Sequence, residues 1–314
     1  GAASWPAAAM ADENGRVVAL ARVGRALGEY TFEAAIEDGP TTTLTGTATE
    51  PVAGTMLSLV NVDKVLADNV GVPGPGTTAM IGEVSGVAIG SDDTVYVAAG
   101  TSNNGYIYAL DATGDMTVLA GGGDTESDGC IPPLTADLRL VEDVVYDEAN
   151  DLIYLLAEFD GWRLLELDVA GDTLCTIAGG NAMAPAPTYG DDGAATDATL
   201  NGPSDLDLGP DGALYITDRN IDRIRRVAGG VITSYLEVGD CEDRIALSDC
   251  GSDGCEMAWD EEGNLFVNAR ICGTDVGGVA NGVVRYDPAE DELVHIAGQN
   301  GGSTAEPALP VDAL

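Results

Sequence analysis

Gly202–Val227 reads GPSDLDLGPDGALYITDRNIDRIRRV, and this stretch decides the fold. It opens with a turn and an alternating run. Gly209-Pro-Asp-Gly212 then turns the chain into the apolar run Ala213–Thr217, and a charged turn leads to a second alternating run ending in Arg225-Arg226-Val227. Alternation of period two, bounded by Gly, Pro and Asp, marks short half-buried strands. A hairpin meander of this size cannot bury both of its faces alone, so the stretch predicts a repeat.

Three other stretches align with it: Glu83–Leu110, Leu140–Leu167 and Gly254–Tyr286. In each, an inner apolar run ends at Ile89, Tyr146, Leu208 or Trp259. After an Asp/Gly turn a second run centres on Tyr96, Tyr154, Tyr215 or Phe266, and a third run holds Ile107, Leu164, Ile224 or Val284. A fourth run follows each time (MTVLA, LCTIA, VITSYL, LVHIA), and the units recur every 51 to 62 residues. Four strands per unit at this period predict an all-β protein built as a β-propeller, with blades at about 82–120, 139–178, 202–236 and 254–297. An antiparallel sandwich, the alternative, would lack this long-range self-similarity.

Cys175–Val227, with its IAGG strand, its GDDGAATDATL connector and its GALYITD strand, closely resembles the NHL repeat. In that family the acidic residue after the second strand and the first arginine of the hairpin fix the turn. The resemblance therefore implies a pair between Asp218 and Arg223, and an Arg–carboxylate pair is geometrically specific. The other three units depart from the pattern, and the resemblance covers roughly Val62 to the end. Val62–Ile81 reads as an outer strand and connector without the three strands before it. Leu293–Leu314 stops where another inner strand would begin. The expectation is a ring completed by further blades, from the same polypeptide or from another chain.

Residues 1–55 form a separate segment, with 56–314 as the propeller. RVVALARV, EYTFEAAI and TTTLTGTATE alternate within it. Asp12-Glu-Asn-Gly-Arg16 and Gly28-Glu-Tyr-Thr-Phe32 resemble the closing half of a bacterial immunoglobulin-like domain, which implies a spacer of a secreted or surface protein. An Ig-like domain followed by an NHL propeller also resembles the order in teneurin-like and YD-repeat toxin shells.

The 314 residues hold 42 Gly and 14 Pro, a turn-rich globular composition. Thirteen basic against 53 acidic residues leave a net charge of −40, and Lys64 is the only lysine. Such a surface repels nucleic acid and anionic lipid. Solubility in a salty medium accounts for the charge, with specific cation binding as the alternative. No run approaches the roughly 18 apolar residues of a membrane helix. Six cysteines without CxxC or Cys/His spacing exclude a zinc site and predict disulfides in an oxidising compartment. Cys241–Cys250 ranks first among the pairings, Cys255–Cys272 second, and Cys130–Cys175 is what remains.

Propellers bind ligands at the mouth of the central channel, where the inner strands enter. The aligned entry positions are Gly86, Asp143, Asp205 and Glu256. Carboxylates converging on one axis repel unless a cation or protons compensate, and oxygen ligands suit Ca²⁺. The segment CEMAWDEEGNLF is similar to the opening of calcium-dependent lactonase propellers, which implies a metal-binding role for Glu256. The plainer reading has these acidic loop ends solvated. A second calcium candidate is DTESDG, with Asp124, Glu126 and Asp128 at alternate positions before Gly129, though Thr135 stands where an EF-hand would need its bidentate carboxylate. Asp249 and Asp253 in SDCGSDG form a third.

His295 is the sole histidine and falls on an outer strand, which excludes multi-histidine zinc chemistry and leaves a Ser-His-Asp triad unsupported. No G-x-S-x-G, P-loop or dinucleotide fingerprint is present. The sequence therefore points to a non-enzymatic extracellular scaffold that offers a propeller face to a protein or glycan. A calcium-dependent lactonase or esterase using channel carboxylates is the competing expectation.

Overall fold

The computed structural model describes residues 28–35, 41–48, 74–75, 81–101, 103–126, 129–158, 160–180, 184–237, 245–247, 255–273 and 278–297. The chain divides into two compact units, Gly1–Ser58 and Leu59–Leu314. In the first, Gly28–Ala35 pairs antiparallel with Thr41–Ala48 as a hairpin. Its strands are the alternating runs read from the sequence; Asp12–Arg16 lies outside the described residues.

Among the described residues the second unit forms four β-propeller blades. Blade one runs Glu83–Ile89, Val95–Thr101, Asn104–Leu110 and Asp115–Gly121; blade two runs Leu140–Asp147, Leu152–Glu158, Trp162–Asp168 and Thr173–Gly179. Blade three runs Pro203–Leu208, Leu214–Asp218, Arg223–Ala228 and Val231–Glu237; blade four runs Met257–Trp259, Leu265–Gly273, Gly278–Asp287 and Glu292–Ala297. Every blade is an antiparallel meander whose first strand lies at the inner edge, shared in blade four with the two-residue strand Ile245–Ala246. The turn from first to second strand needs a left-handed residue, supplied by Asp93 (φ 69°), Asp151 (φ 56°), Gly212 (φ 74°) and Gly263 (φ 87°). Aspartate tolerates that conformation better than most side chains, which explains why Gly in two copies is matched by Asp in the other two.

Part of the acidic excess goes into such turns. Asp111 Oδ1 accepts the amides of Thr113 (2.8 Å) and Asp115 (3.0 Å), and Asp260 Oδ1 accepts that of Asn264 (2.7 Å). The Thr113 hydroxyl on Asp111, the Asn264 side-chain amide on Asp260 and the Thr94 backbone amide on Asp92 most strongly favour the charged form, and all three carboxyls lie below their usual range.

Blades pack face to face, and period two decides which residue serves which junction. Along blade two's second strand, Ile153, Leu155 and Ala157 join the cluster shared with blade one. Tyr154 and Leu156 join the cluster shared with blade three. Both faces are buried, so LIYLLA is a nearly continuous apolar run instead of a half-polar one. A third cluster, including Tyr215, Ile224, Met257 and Val267, joins blades three and four. Each fully buried Leu or Ile contributes about 1.5–3 kcal/mol.

The connectors supply a fifth, two-residue strand on the outside of three blades: Gly74–Pro75, Cys130–Ile131 and Gly193–Ala194 each pair with the outer strand of the blade that follows. This placement sets Cys130 opposite Cys175, and the two form a disulfide with Cα atoms 4.0 Å apart. The pairing that sequence spacing ranked last is thus present, because residues 45 apart become cross-strand neighbours. Cys255 is also disulfide-bonded and fully buried. Cys241 and Cys250 lie outside the described residues.

Candidate functional site

The entry residues of the inner strands meet where the blades converge. Asp143, Asp205 and Glu256 line one cleft of about 540 Å³ with Gly86, Val87 and Asp207. Asp205 is 7% exposed, Asp143 is partly buried and Glu256 is exposed.

The two aspartates act across blade junctions. The Leu206 amide of blade three donates to Asp143 Oδ2 at 3.0 Å, and the Met257 amide of blade four donates to Asp205 Oδ2 at 2.7 Å. In each case a carboxyl of one blade receives the amide one residue past the equivalent position in the next. The serines beside them add to this: Ser85 Oγ donates to the Val141 carbonyl at 2.6 Å, and Ser204 Oγ accepts the Cys255 amide at 3.1 Å. Gly86 makes room in blade one. A Cβ there would lie 2.4 Å from Asp143 Oδ1 and 3.0 Å from the Val144 nitrogen.

Asp143 and Asp205 lie close enough that each acts on the other's titration. Neighbouring carboxyls disfavour each other's charged form. Burial pushes both above the usual carboxylate range. For Asp205 the Asp143 charge is the next cause, and Glu256 raises both further; the amides of Val144 and Leu206 pull Asp143 partly back, as that of Met257 does for Asp205. Asp207, also in the cleft, is raised by burial as well.

These oxygens suit a hard cation chemically but do not form a ready cage. One oxygen of each aspartate is taken by a backbone amide. Among the described residues no group of three or more His, Cys, Asp or Glu side chains is arranged to hold a metal ion.

Asp124, Thr125 and Glu126 of the DTESDG segment lie among the described residues. Glu126 forms an ion pair with Arg139. Thr125 bonds through its amide to the Thr135 carbonyl at 2.9 Å, and Gly123 to Ala136 at 3.0 Å, which fastens the segment along the 3-10 turn Pro133–Thr135. Asp124 lies in this strap; Asp128, Asp249 and Asp253 lie outside the described residues. His295 is on blade four's outer strand, opposite Val284.

The hairpin of blade three corrects the pair implied by the NHL resemblance. Asp218 Oδ2 pairs with Arg225 at 3.3 Å, with both side chains fully buried. Arg223 turns to Asp191 (2.7 Å) and Glu237 (3.3 Å). Arg225 reaches Asp191 too, at 2.8 Å, and Ser234 Oγ donates to the same carboxylate at 2.6 Å. The reason is Asp191: this connector residue lies beside the third strand and takes both arginines. Burial pushes Asp218 up to about 6, while the Asn201 amide and Arg225 draw it down.

No family model matches the chain, and no curated protein matches it. Several solved structures align with it over part of their length. A Bacteroides thetaiotaomicron protein of unknown function aligns with a TM-score of 0.42 at 10% identity, over 77% of this chain and 64% of its own. A putative gluconolactonase aligns with a TM-score of 0.41 at 14% identity, over 69% of this chain and 62% of its own. Virginiamycin B lyase from Staphylococcus aureus gives 0.40 at 12% identity, over 72% and 73%. The chain thus spans less than two thirds of the first two. The four antiparallel meanders agree with the propeller architecture; nothing about activity follows. Among the described residues no helix is long and apolar enough to cross a membrane.

Proposed function

We propose that this chain is a non-catalytic binding and scaffold module of a secreted or surface protein, an NHL-type propeller preceded by an Ig-like spacer. It offers its channel mouth and blade faces to a protein or glycan. One observation carries the reading: Asp143 and Asp205, the acidic residues best placed for chemistry, are engaged by the Leu206 and Met257 amides. They act as clasps between blades. The disulfide Cys130–Cys175 supports an oxidising location.

A calcium-dependent hydrolase remains the second reading, because Asp143, Asp205 and Glu256 do line one cleft. Thermal unfolding of the chain with calcium and with chelator, beside a panel of lactones and esters, separates the two. The scaffold reading expects no calcium-dependent shift and no turnover. A ligand bound only by the native state must raise the unfolding temperature. A calcium-dependent rise together with hydrolysis that Glu256→Gln abolishes would replace the scaffold by the enzyme.

A further inference from the structure

Fifty-three of the 314 residues are acidic, yet one cavity has no charged residue in its lining. It holds about 270 Å³, where the start of blade two's third strand meets the connector to blade three. Trp162 and Tyr189 give it aromatic walls, Ala184 and Leu200 add aliphatic surface, and Asn201 brings an amide. Trp162 and Leu200 are anchored in the cluster between blades two and three.

The connector is tied down around this cavity. The Trp162 carbonyl accepts the Gly180 amide at 3.3 Å, Thr199 Oγ1 accepts that of Ala184 at 3.0 Å, and the Asn201 amide donates to Asp218 Oδ1 at 2.7 Å. The Tyr189 amide donates to the Pro185 carbonyl and its own carbonyl accepts the Thr199 amide, both at 3.0 Å. Tyr189 is thereby held in a left-handed backbone with φ 50°. Every other non-glycine residue with positive φ among the described residues is an aspartate, which tolerates that conformation. A bulky side chain there is an outlier, and such strain gathers at ligand sites. Arg223, fastened to Asp191, lies 5.8 Å from the centre of the Tyr189 ring and is not part of the cavity lining.

The cavity keeps donors for a guest. Among the described residues the Trp162 indole N–H and the Tyr189 hydroxyl donate no hydrogen bond, and Asn201 uses only its Oδ1, on Asn220 at 3.3 Å. An anion is repelled by a chain of net charge −40, and a cation finds no carboxylate in this lining. Aromatic surface edged by a few polar groups suits a neutral ring that carries hydroxyls. Sites for drug-sized ligands run from roughly 300 to 1,000 Å³, so this one has room for a single ring.

We propose that this cavity binds one neutral hexopyranose unit of a glycan. The apolar side of the sugar lies on Trp162 and Tyr189, and its hydroxyls bond the Asn201 amide and the tyrosine hydroxyl. The inference names a ligand class for the scaffold reading, and rests on that reading only in that the glycan is held and not cleaved.

Titration calorimetry of the full 314-residue chain with methyl glucoside, galactoside and mannoside, beside sodium glucuronate and a proline-rich peptide, tests it. At least one neutral glycoside is expected to bind, and the glucuronate and the peptide are not. Asn201→Ala and Tyr189→Gly will each weaken that binding about tenfold or more. Glycine takes a left-handed backbone without strain, so Tyr189→Gly will melt no lower than wild type while it loses the sugar. A tyrosine that served the fold alone would melt lower on replacement and leave the sugar bound. Failure of every glycoside to bind, binding that both variants keep, or binding of the glucuronate or the peptide in place of the sugar would overturn the proposal. Sugar binding alongside calcium-dependent lactone turnover would sink the scaffold reading and leave this site standing.

Discussion

Asp143 of blade two and Asp205 of blade three act on each other's titration, and each holds a backbone amide of the blade after its own. Their cost is electrostatic, and it depends on pH.

Both carboxyls are raised, so the folded chain keeps a proton that the unfolded chain gives up in the ordinary carboxylate range. Stability from this pair is therefore greatest at acidic pH and declines as pH rises from that range toward alkaline values. Asp205→Asn keeps an oxygen for the Met257 amide while removing the charge. Its unfolding temperature will fall less than that of wild type across the neutral and alkaline range. Asp205→Ala leaves the amide unsatisfied and will cost about 1–3 kcal/mol in denaturant unfolding. An Asn variant with the wild-type pH profile would show that Asp205 keeps no such proton.

Gly86→Ala places a methyl group 2.4 Å from Asp143 Oδ1. The neighbouring Val144 nitrogen limits relaxation. A loss of about 1–3 kcal/mol is expected, as for other overpacked sites. Because the methyl group displaces the Asp143 carboxyl, the variant will also show an altered pH dependence. An unchanged melting temperature would mean that the inner strands spread freely.

Arg225 is fully buried between Asp218 and Asp191, whereas Arg226 meets Asp211 on the surface with side chains 33% and 42% exposed. Removing one partner of a buried pair strands the other, so Arg225→Met will cost about 3–5 kcal/mol. Arg226→Ala will cost less than about 1 kcal/mol, since solvent already screens that pair. Chemical denaturation of the two variants side by side checks the ordering.

The disulfide Cys130–Cys175 ties a connector to the outer strand of blade two across 45 residues. Replacing both cysteines by serine will lower stability by about 2–4 kcal/mol, mainly through the unfolded chain's added freedom. Proteolysis near Cys130 should quicken at the same time. If neither changes, the two-residue strand holds without its bond.

The sequence by itself determined the blades. Strand period, Asp/Gly turns and a recurrence every 51 to 62 residues are local or regularly spaced signals, and they specify four antiparallel meanders with Tyr96, Tyr154, Tyr215 and Phe266 in equivalent places. It also singled out the residues of the channel mouth, because alignment alone puts Asp143, Asp205 and Glu256 in one column. What those residues do depends on how one blade packs against the next. The amide that Asp143 holds is 63 residues away in the chain, and the one that Asp205 holds is 52 away. No local pattern states whether a carboxyl at a strand entry meets water, a cation or a neighbouring backbone. The same holds for Asp218, which takes Arg225 because Asp191 arrives from a connector, and for Cys130, whose partner is chosen by the pairing of a two-residue strand. Periodicity fixes which way a side chain points. Packing between blades decides what it finds there.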